Sequence, residues 1–407
     1  MPPFNPESSL RLGVFFDGTG NHLANAHDVD ASHIAELFGL YPHAPERRQL
    51  RLYIEGIGTQ AGAPDSLFAM ATGKGRLGWQ AAIGRAHHGV LALVGNWLRD
   101  HPGEALDSIE IDLFGFSRGA ACARHFANDL CAGHASNLGQ ALQQAGAGLH
   151  SVSLRIGFMG LFDTVASILG PGPAPCLQLA EGMARRIVHL VAADEHRHNF
   201  ALTSAGAYDL PVPGAHSDIG GGYRPVMEEQ LILSRPDGCT IAPQRSGEDA
   251  PSVLRTTALL EGLASGVPDY GFECQVRTWQ QPRYSRGRVE EIRMYAALEG
   301  RRSVHNDLSL VYLELMHRLA VAQGVPLQPL PAHEYPAELH SIVGKLLAHA
   351  DAGPAPALSA SEQALLYRRY IHRSHHWTTD GPGQTSDLDA LFVHRPAAGG
   401  KRQILST

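Results

Sequence analysis

No apolar run in the sequence approaches the roughly 18 residues that a membrane-spanning helix needs, so no such segment is expected. The opening stretch, MPPFNPESSLRLGVFF, has no positive region ahead of an apolar run and no small-residue cleavage site. It does not read as a secretory signal peptide, which predicts synthesis as a soluble cytosolic protein. Cysteine is scarce: Cys122, Cys131, Cys176, Cys239 and Cys274 are odd in number, with no C-x-x-C pair and no zinc spacing. They read as reduced thiols in the core or at the surface. An excess of basic charge is also lacking, since 33 Lys and Arg stand against 40 Asp and Glu for a net −7, with no basic stripe. That disfavours nucleic-acid binding as the main activity. Neither an internal repeat nor a long low-complexity segment is present, and the 44 glycines and 26 prolines follow no period. Collagen and bulk disorder are thereby excluded.

What is present suffices for a large core: 407 residues, of which 44% are hydrophobic. At roughly 100–200 residues per domain the chain makes one large domain or two ordinary ones. Short apolar runs rich in Val, Ile and Phe (12–16, 51–54, 109–114, 152–162, 187–192 and a start at 210–212) alternate with helical patterns at 79–99 and 120–130. Strands alternating with helices predict βαβ units and hence a parallel sheet covered on both faces, an α/β architecture. Beyond Arg224 the texture changes. Residues 225–300 carry turn-forming Pro236, Asp237 and Gly238 and a short helical pattern at 253–263, and read as an insertion or cap. Residues 301–407 read as helices at 305–322, 338–350 and 360–371 packed on the 1–224 core, ending in a polar, loop-like tail from Thr378.

The strongest local signal is Gly115-Phe116-Ser117-Arg118-Gly119-Ala120, a G-x-S-x-G that follows a strand and opens a helix. A sharp strand-to-helix turn needs small neighbours, because the serine backbone is strained and the helix passes close to the strand. The serine oxygen is then lifted above the sheet, at a helix N-terminus that favours developing negative charge. A tight turn with an exposed serine is the plainer reading of the same residues.

A serine hydroxyl near neutral pH needs a base, and the base an orienting acid. In α/β-hydrolases these follow in the order serine, acid, histidine, at carboxyl ends of strands. His216, in Pro213-Gly214-Ala215-His216-Ser217-Asp218-Ile219-Gly220-Gly221-Gly222-Tyr223, ends a strand amid glycines and is the favoured base, with His305 the rival. Asp163, Asp194 and Asp218 compete for the acid. Asp218 is disfavoured, because residues two apart on extended backbone diverge, whereas Asp163 and Asp194 stay open. The Arg118 backbone N–H is one expected oxyanion donor, and the Gly18–Thr19 turn is placed for the other. Asp17 reads as a cap of that turn. Gly18-Thr19-Gly20 lacks the frame of a phosphate loop. The clusters Glu195-His196-Arg197-His198 and His372-Arg373-Ser374-His375-His376-Trp377 have no metal-ligand spacing and read as exposed polar faces. Asp17 with Asp218 is the one pair with a case for Ca²⁺ or Mg²⁺; otherwise no cofactor and no metal is expected.

Four motifs occur in order: Phe15-Phe16-Asp17-Gly18-Thr19-Gly20-Asn21, the Ser117 turn, Gly160-Leu161-Phe162-Asp163-Thr164-Val165 and the His216 loop. Together they resemble the catalytic domain of type VI secretion phospholipase effectors, the Tle lipases of the G-x-S-x-G-bearing first subfamily, over residues 11–225. Tyr370-Ile371-His372 and the stretch from Phe392 to Pro396 are similar to that family's far end. The resemblance implies an α/β-hydrolase that cleaves acyl esters of glycerophospholipids with a Ser117–Asp163–His216 triad, leaving Asp194 as runner-up. It implies a phospholipid membrane as substrate, a secretion spike protein as carrier, an immunity protein in the producer, and delivery to a target cell's periplasm by a route without a signal peptide. The chain is short for that family, whose members often carry a further membrane-binding module. Residues 225–300 and the later helices would then shape an acyl groove. A soluble carboxylesterase with the same triad, or a non-catalytic hydrolase-fold binding module, are the other readings.

Overall fold

The structure is a computed structural model that describes residues 8–21, 31–57, 78–144, 152–166, 174–262, 270–285, 288–349, 357–380 and 392–406. Its first half alternates as the sequence predicts. In chain order come β1 (Ser9–Phe16), α1 (His33–Leu40), β2 (Gln49–Ile54), α2 (Trp79–Asp100), β3 (Ser108–Phe116), α3 (Arg118–Cys131), α4 (Asn137–Gln144), β4 (Ser153–Phe162), β5 (Ala184–Ala192), β6 (Leu202–Thr203), β7 (Asp209–Val212) and α5 (His216–Gly220). The second half adds β8 (Val226–Ile232), β9 (Asp237–Ile241), α6 (Pro251–Gly262), β10 (Glu273–Ser285), β11 (Arg288–His305), α7 (Asp307–Ala322), α8 (His340–His349), α9 (Ala360–Arg369) and β12 (Ile404–Leu405).

Six strands form one sheet in the order β2-β1-β3-β4-β5-β7, each neighbour pair running parallel. β1 and β3 are buried along their whole length, as parallel strands covered on both faces must be. Alternate residues divide between two cores. Leu10, Leu12, Val14 and Phe16 join Ile83, Val90, Val94 and Phe126 of α2 and α3 on one face. Phe15, Phe114 and Phe158 join Leu308, Val311, Tyr312, Leu315 and Met316 of α7 on the other, at the three- and four-residue spacing of an amphipathic helix. On that second face Arg11 is buried and held by Asp112 at 2.8 Å, with the Tyr41 hydroxyl also donating to Asp112. Every strand of this sheet therefore delivers its carboxyl end to one rim, where ligands of open α/β sheets bind.

Residues 225–300, expected as a cap with one short helix, instead hold strands. β10, β11 and β8 run antiparallel in sequence of pairing, and β9 also pairs with β11. α6 covers them through Val253, which packs on a small cluster of Ile241, Ala250 and Met294. The alternation went unread because β10 is polar and largely exposed, and because Pro282 inside it argues against a strand. β11 also extends to His305, so α7 starts at Asp307 rather than at His305. Of the tail expected as loop, residues 381–391 lie outside the described residues, whereas β12 pairs with β6. No helix among the described residues is long and apolar enough to cross a membrane. All five cysteines are unpaired.

Candidate active site

At the carboxyl end of β3 the backbone of Ser117 takes φ 57°, ψ −124°, and α3 starts at the next residue. A non-glycine residue held there costs on the order of 1–3 kcal/mol and persists only where the surroundings over-determine it. Here they do. Ser117 N–H donates to the Phe162 carbonyl at 3.0 Å, and Val165 N–H donates to the Ser117 carbonyl at 3.3 Å. Close approach explains the flanking glycine, since a Cβ on Gly119 would lie 2.3 Å from the Phe16 carbonyl oxygen. The α3 N-terminus, with the Arg118 amide as its first N–H, thus sits directly on the end of β1.

Asp163 follows directly on β4, at φ 40°. Its N–H donates to the Leu190 carbonyl at 2.8 Å. The following amide, Thr164 N–H, donates to His189 Nε2 at 3.0 Å, which the Asp209 carboxylate holds through Nδ1 at 2.6 Å. The Asp163 carboxylate is fully buried. Its Oδ2 accepts from His216 Nδ1 at 2.5 Å and from Arg402 Nη2 at 2.8 Å, and its Oδ1 accepts from Ala192 N–H at 3.0 Å and Arg402 Nη1 at 2.7 Å. Burial alone would push this carboxyl up, but the Arg402 guanidinium and His216 outweigh it and hold the group well below the usual carboxylate range.

His216 is the first residue of α5, with its ring 4.6 Å from that of Phe116 and 5.0 Å from that of Phe200. Burial pushes the imidazole below its ordinary 6.5, with Asp163 partly opposing. An ionised carboxylate on Nδ1 fixes the proton there, so Nε2 is the nitrogen left to accept one. Ser117 Oγ and His216 Nε2 are not hydrogen-bonded in the structure, an arrangement common before substrate binds. The loop after the histidine must pass the elbow closely: a Cβ on Gly220 would lie 2.1 Å from the Phe116 ring.

Asp17 is buried and receives four donors: Gly18 N–H (2.6 Å), Asn21 Nδ2 (3.2 Å), Ser32 Oγ (2.6 Å) and Tyr53 OH (2.5 Å). It therefore builds the turn above α3 and joins it to α1, for which Ser32 is the N-cap. This corrects one expectation, because the Gly18 amide is committed to Asp17 and cannot also bind an oxyanion. Thr19 remains, with its buried Oγ1 lacking a hydrogen-bond partner.

The other carboxylates have structural partners. Asp194 accepts from Gly214 N–H at 2.8 Å and from Tyr367 OH at 2.6 Å, so it shapes the loop before His216 without touching its ring. Asp218 accepts from Ala215 N–H at 2.8 Å and from His372 Nδ1 at 2.7 Å, and the His372 ring stacks on Tyr223 at 3.7 Å. With their oxygens occupied by protein donors, Asp17 and Asp218 do not offer the cation site suggested by their sequence neighbourhood. No group of three or more His, Cys, Asp or Glu side chains suited to a metal occurs among the described residues. His305 lies at the end of β11 with its ring 6.0 Å from that of Tyr370, away from Asp163.

Two histidine-rich clusters expected at the surface are instead partly interior. Glu195, Arg197, His372 and Ser374 are all buried. Glu195 holds Arg197 through Nη2 at 2.7 Å, accepts from Ser374 Oγ at 3.0 Å and from His216 N–H at 3.3 Å. Buried charge is tolerated because it is paired, and sequence polarity alone does not reveal such pairing. Arg402 was missed altogether: it lies 239 residues from Asp163 in a polar tail with no local pattern to mark it.

A parallel sheet with a strained serine between its third strand and the next helix, followed by an aspartate–histidine pair at the same rim, is the architecture of an α/β-hydrolase. Residues 11–133, which carry Asp17 and Ser117, match the family profile described as "T6SS, Phospholipase effector Tle1-like, catalytic domain". That stretch carries the first two of the four motifs on which the family resemblance rests. The fold is similar to a solved structure, "Structure of the Tle1 effector bound to the VgrG spike from the Type 6 secretion system", with TM-score 0.78, 24% identity, and coverage of 98% of this chain and 94% of that one. An uncharacterized protein from Pseudomonas aeruginosa is similar at TM-score 0.46 and 18% identity, over 88% of this chain and 52% of that one. No curated protein sequence matches the chain.

Proposed function

We propose that this protein is a serine-dependent phospholipase of the type VI secretion effector kind, with Ser117 as nucleophile, His216 as base and Asp163 as the acid that orients it. The observation that carries the reading is the buried 2.5 Å contact from Asp163 to His216 Nδ1 at the sheet rim where Ser117 is held in a strained turn. In the reaction, His216 Nε2 takes the Ser117 proton as Oγ attacks an ester carbonyl. The Arg118 and Thr19 amides receive the oxyanion. His216 then protonates the departing lysolipid alcohol, and water attacks the acyl-serine by the same route to release the fatty acid. A spike protein as carrier is supported by the similar structure, which is bound to a VgrG spike. A phospholipid surface is the substrate in this reading, in keeping with the phospholipase description of the profile matched by residues 11–133; an immunity protein in the producer and a target periplasm are what the family resemblance implies.

Because burial lowers the His216 value from 6.5, the base is neutral at physiological pH and becomes protonated only on acidification. The acid limb of kcat/KM is therefore expected below pH 6.5, with activity rising through it as pH increases. A limb centred above pH 7 would contradict this environment for the base. The function itself is tested by fatty-acid release from mixed phospholipid vesicles, with lysolipids identified by mass, with and without Ca²⁺. Release by wild type and none by Ser117→Ala is expected. Ser117-dependent cleavage of short soluble esters, with vesicles untouched, would assign a carboxylesterase. Silence on both substrates would leave a binding module.

A further inference from the structure

We propose that Arg402 is a positioning residue of the reaction, clamping the Asp163 carboxylate from the far end of the chain. The proposal rests on the triad reading above. Arg402 is the only guanidinium among the described residues that reaches the Asp163 carboxylate, and it does so with both terminal nitrogens, at 2.7 and 2.8 Å. Its Nε donates to the Phe200 carbonyl at 2.6 Å, so the planar fork is fixed at both ends. The Arg402 side chain is 7% exposed, and the carboxylate beneath it is not exposed at all.

The tail that delivers Arg402 is docked by backbone pairing. Leu202 N–H donates to the Gln403 carbonyl and Ser204 N–H to the Leu405 carbonyl, both at 2.9 Å, while Ala397 N–H donates to the His196 carbonyl at 2.7 Å. The segment it runs along, 196–204, includes Phe200, whose ring covers His216. One length of chain thus seats the acid's counter-charge and the wall of the base together.

The physical need is specific. A carboxylate buried against a single imidazole has little to prevent its plane from turning or the proton from passing to it. Two parallel N–H···O bonds from Arg402 fix the plane, and the fixed positive charge keeps the carboxylate ionised. The same charge weakens the pull of Asp163 on the imidazolium. The charged groups that act on His216 directly are Asp163 from the turn after β4 and Glu195 and Arg197 from the loop after β5; Arg402 from the tail meets it through the shared Asp163 carboxylate, and Asp218 lies further along α5. Removing Arg402 leaves the acidic members in excess, so the base becomes easier to protonate and the acid limb moves to higher pH.

Arg402→Met and Arg402→Lys, assayed with a soluble ester over pH 4–9 alongside thermal melting, separate charge from geometry. For Arg402→Met we expect kcat to fall by roughly ten- to a hundredfold, the scale set by misplacing a reacting group, with KM little changed and the acid limb shifted upward. For Arg402→Lys, which keeps the charge and loses the bidentate fork, kcat falls while the limb stays at its wild-type position. Wild-type kcat and pH profile in Arg402→Met would overturn the proposal. So would kcat losses in both variants that follow their melting temperatures with neither limb moving, since that marks a strap of purely structural role. If Arg402→Met fails to fold, Arg402→Lys decides: wild-type kcat in it overturns the assignment. Activity surviving in Ser117→Ala would count against the triad reading instead, whatever the Arg402 variants do.

Discussion

Ser117→Ala is expected to remove ester hydrolysis down to the level that binding and the oxyanion donors alone support, a fall in kcat of about 10⁶-fold, as when the nucleophile of a serine triad is removed. The size follows from what the hydroxyl does. Without Oγ no acyl-enzyme forms, and His216 has no proton to take in the first step. Little else changes, because the interactions that hold the elbow are backbone ones, from Ser117 N–H to Phe162 and from Val165 N–H to Ser117. The melting temperature is therefore expected to stay near wild type, and activity on a soluble ester is the readout. A variant retaining a tenth of wild-type kcat would exclude Ser117 as nucleophile.

Asp163→Asn is expected to lower kcat by about 10⁴-fold, the scale on which an orienting aspartate acts by setting the histidine tautomer. An amide at this position can present N–H to His216 Nδ1, which places the imidazole proton on Nε2, where it cannot accept from Ser117. The variant also strands Arg402. A buried cation that loses its carboxylate is destabilising by about 3–5 kcal/mol, so denaturant unfolding should show a loss that Ser117→Ala does not. Asp194→Asn is the matching control. Asp194 serves the Gly214 amide and the Tyr367 hydroxyl, so its replacement is expected to leave the pH profile in place. A larger loss of kcat in Asp194→Asn than in Asp163→Asn would reverse the assignment of the acid.

The parallel sheet was legible because β1 and β3 at its centre are buried along their whole length, and its strands read as short apolar runs alternating with helical patterns. Ser117 was legible for a local reason: its neighbours must be small where α3 meets β1, and that constraint is written in adjacent residues. Choosing between Asp163 and Asp194 was not possible from the residues themselves. Both follow apolar strands that end at the same rim. What separates them is the φ of 40° at Asp163, which turns its carboxylate to His216, and the capture of Asp194 by Gly214 and Tyr367. Glu195, Arg197 and His372 misread as surface because charge in a sequence carries no sign of the partner that permits burial. β10 hid behind Pro282 and its polar residues. Arg402 was hidden by distance along the chain, since it reaches the site through pairing of the tail with residues 196–204, including that of β12 with β6.

The central claim, that Ser117 forms the covalent acyl intermediate, is tested most directly by trapping it. The protein is treated with an organophosphonate ester that mimics the tetrahedral intermediate, and the adduct is weighed and mapped by peptide mass analysis. One adduct per chain on the peptide containing Ser117 is expected, absent from Ser117→Ala and formed far more slowly in His216→Ala. Full inhibition of hydrolysis with the adduct on any other residue, or equal labelling of Ser117→Ala, would contradict it.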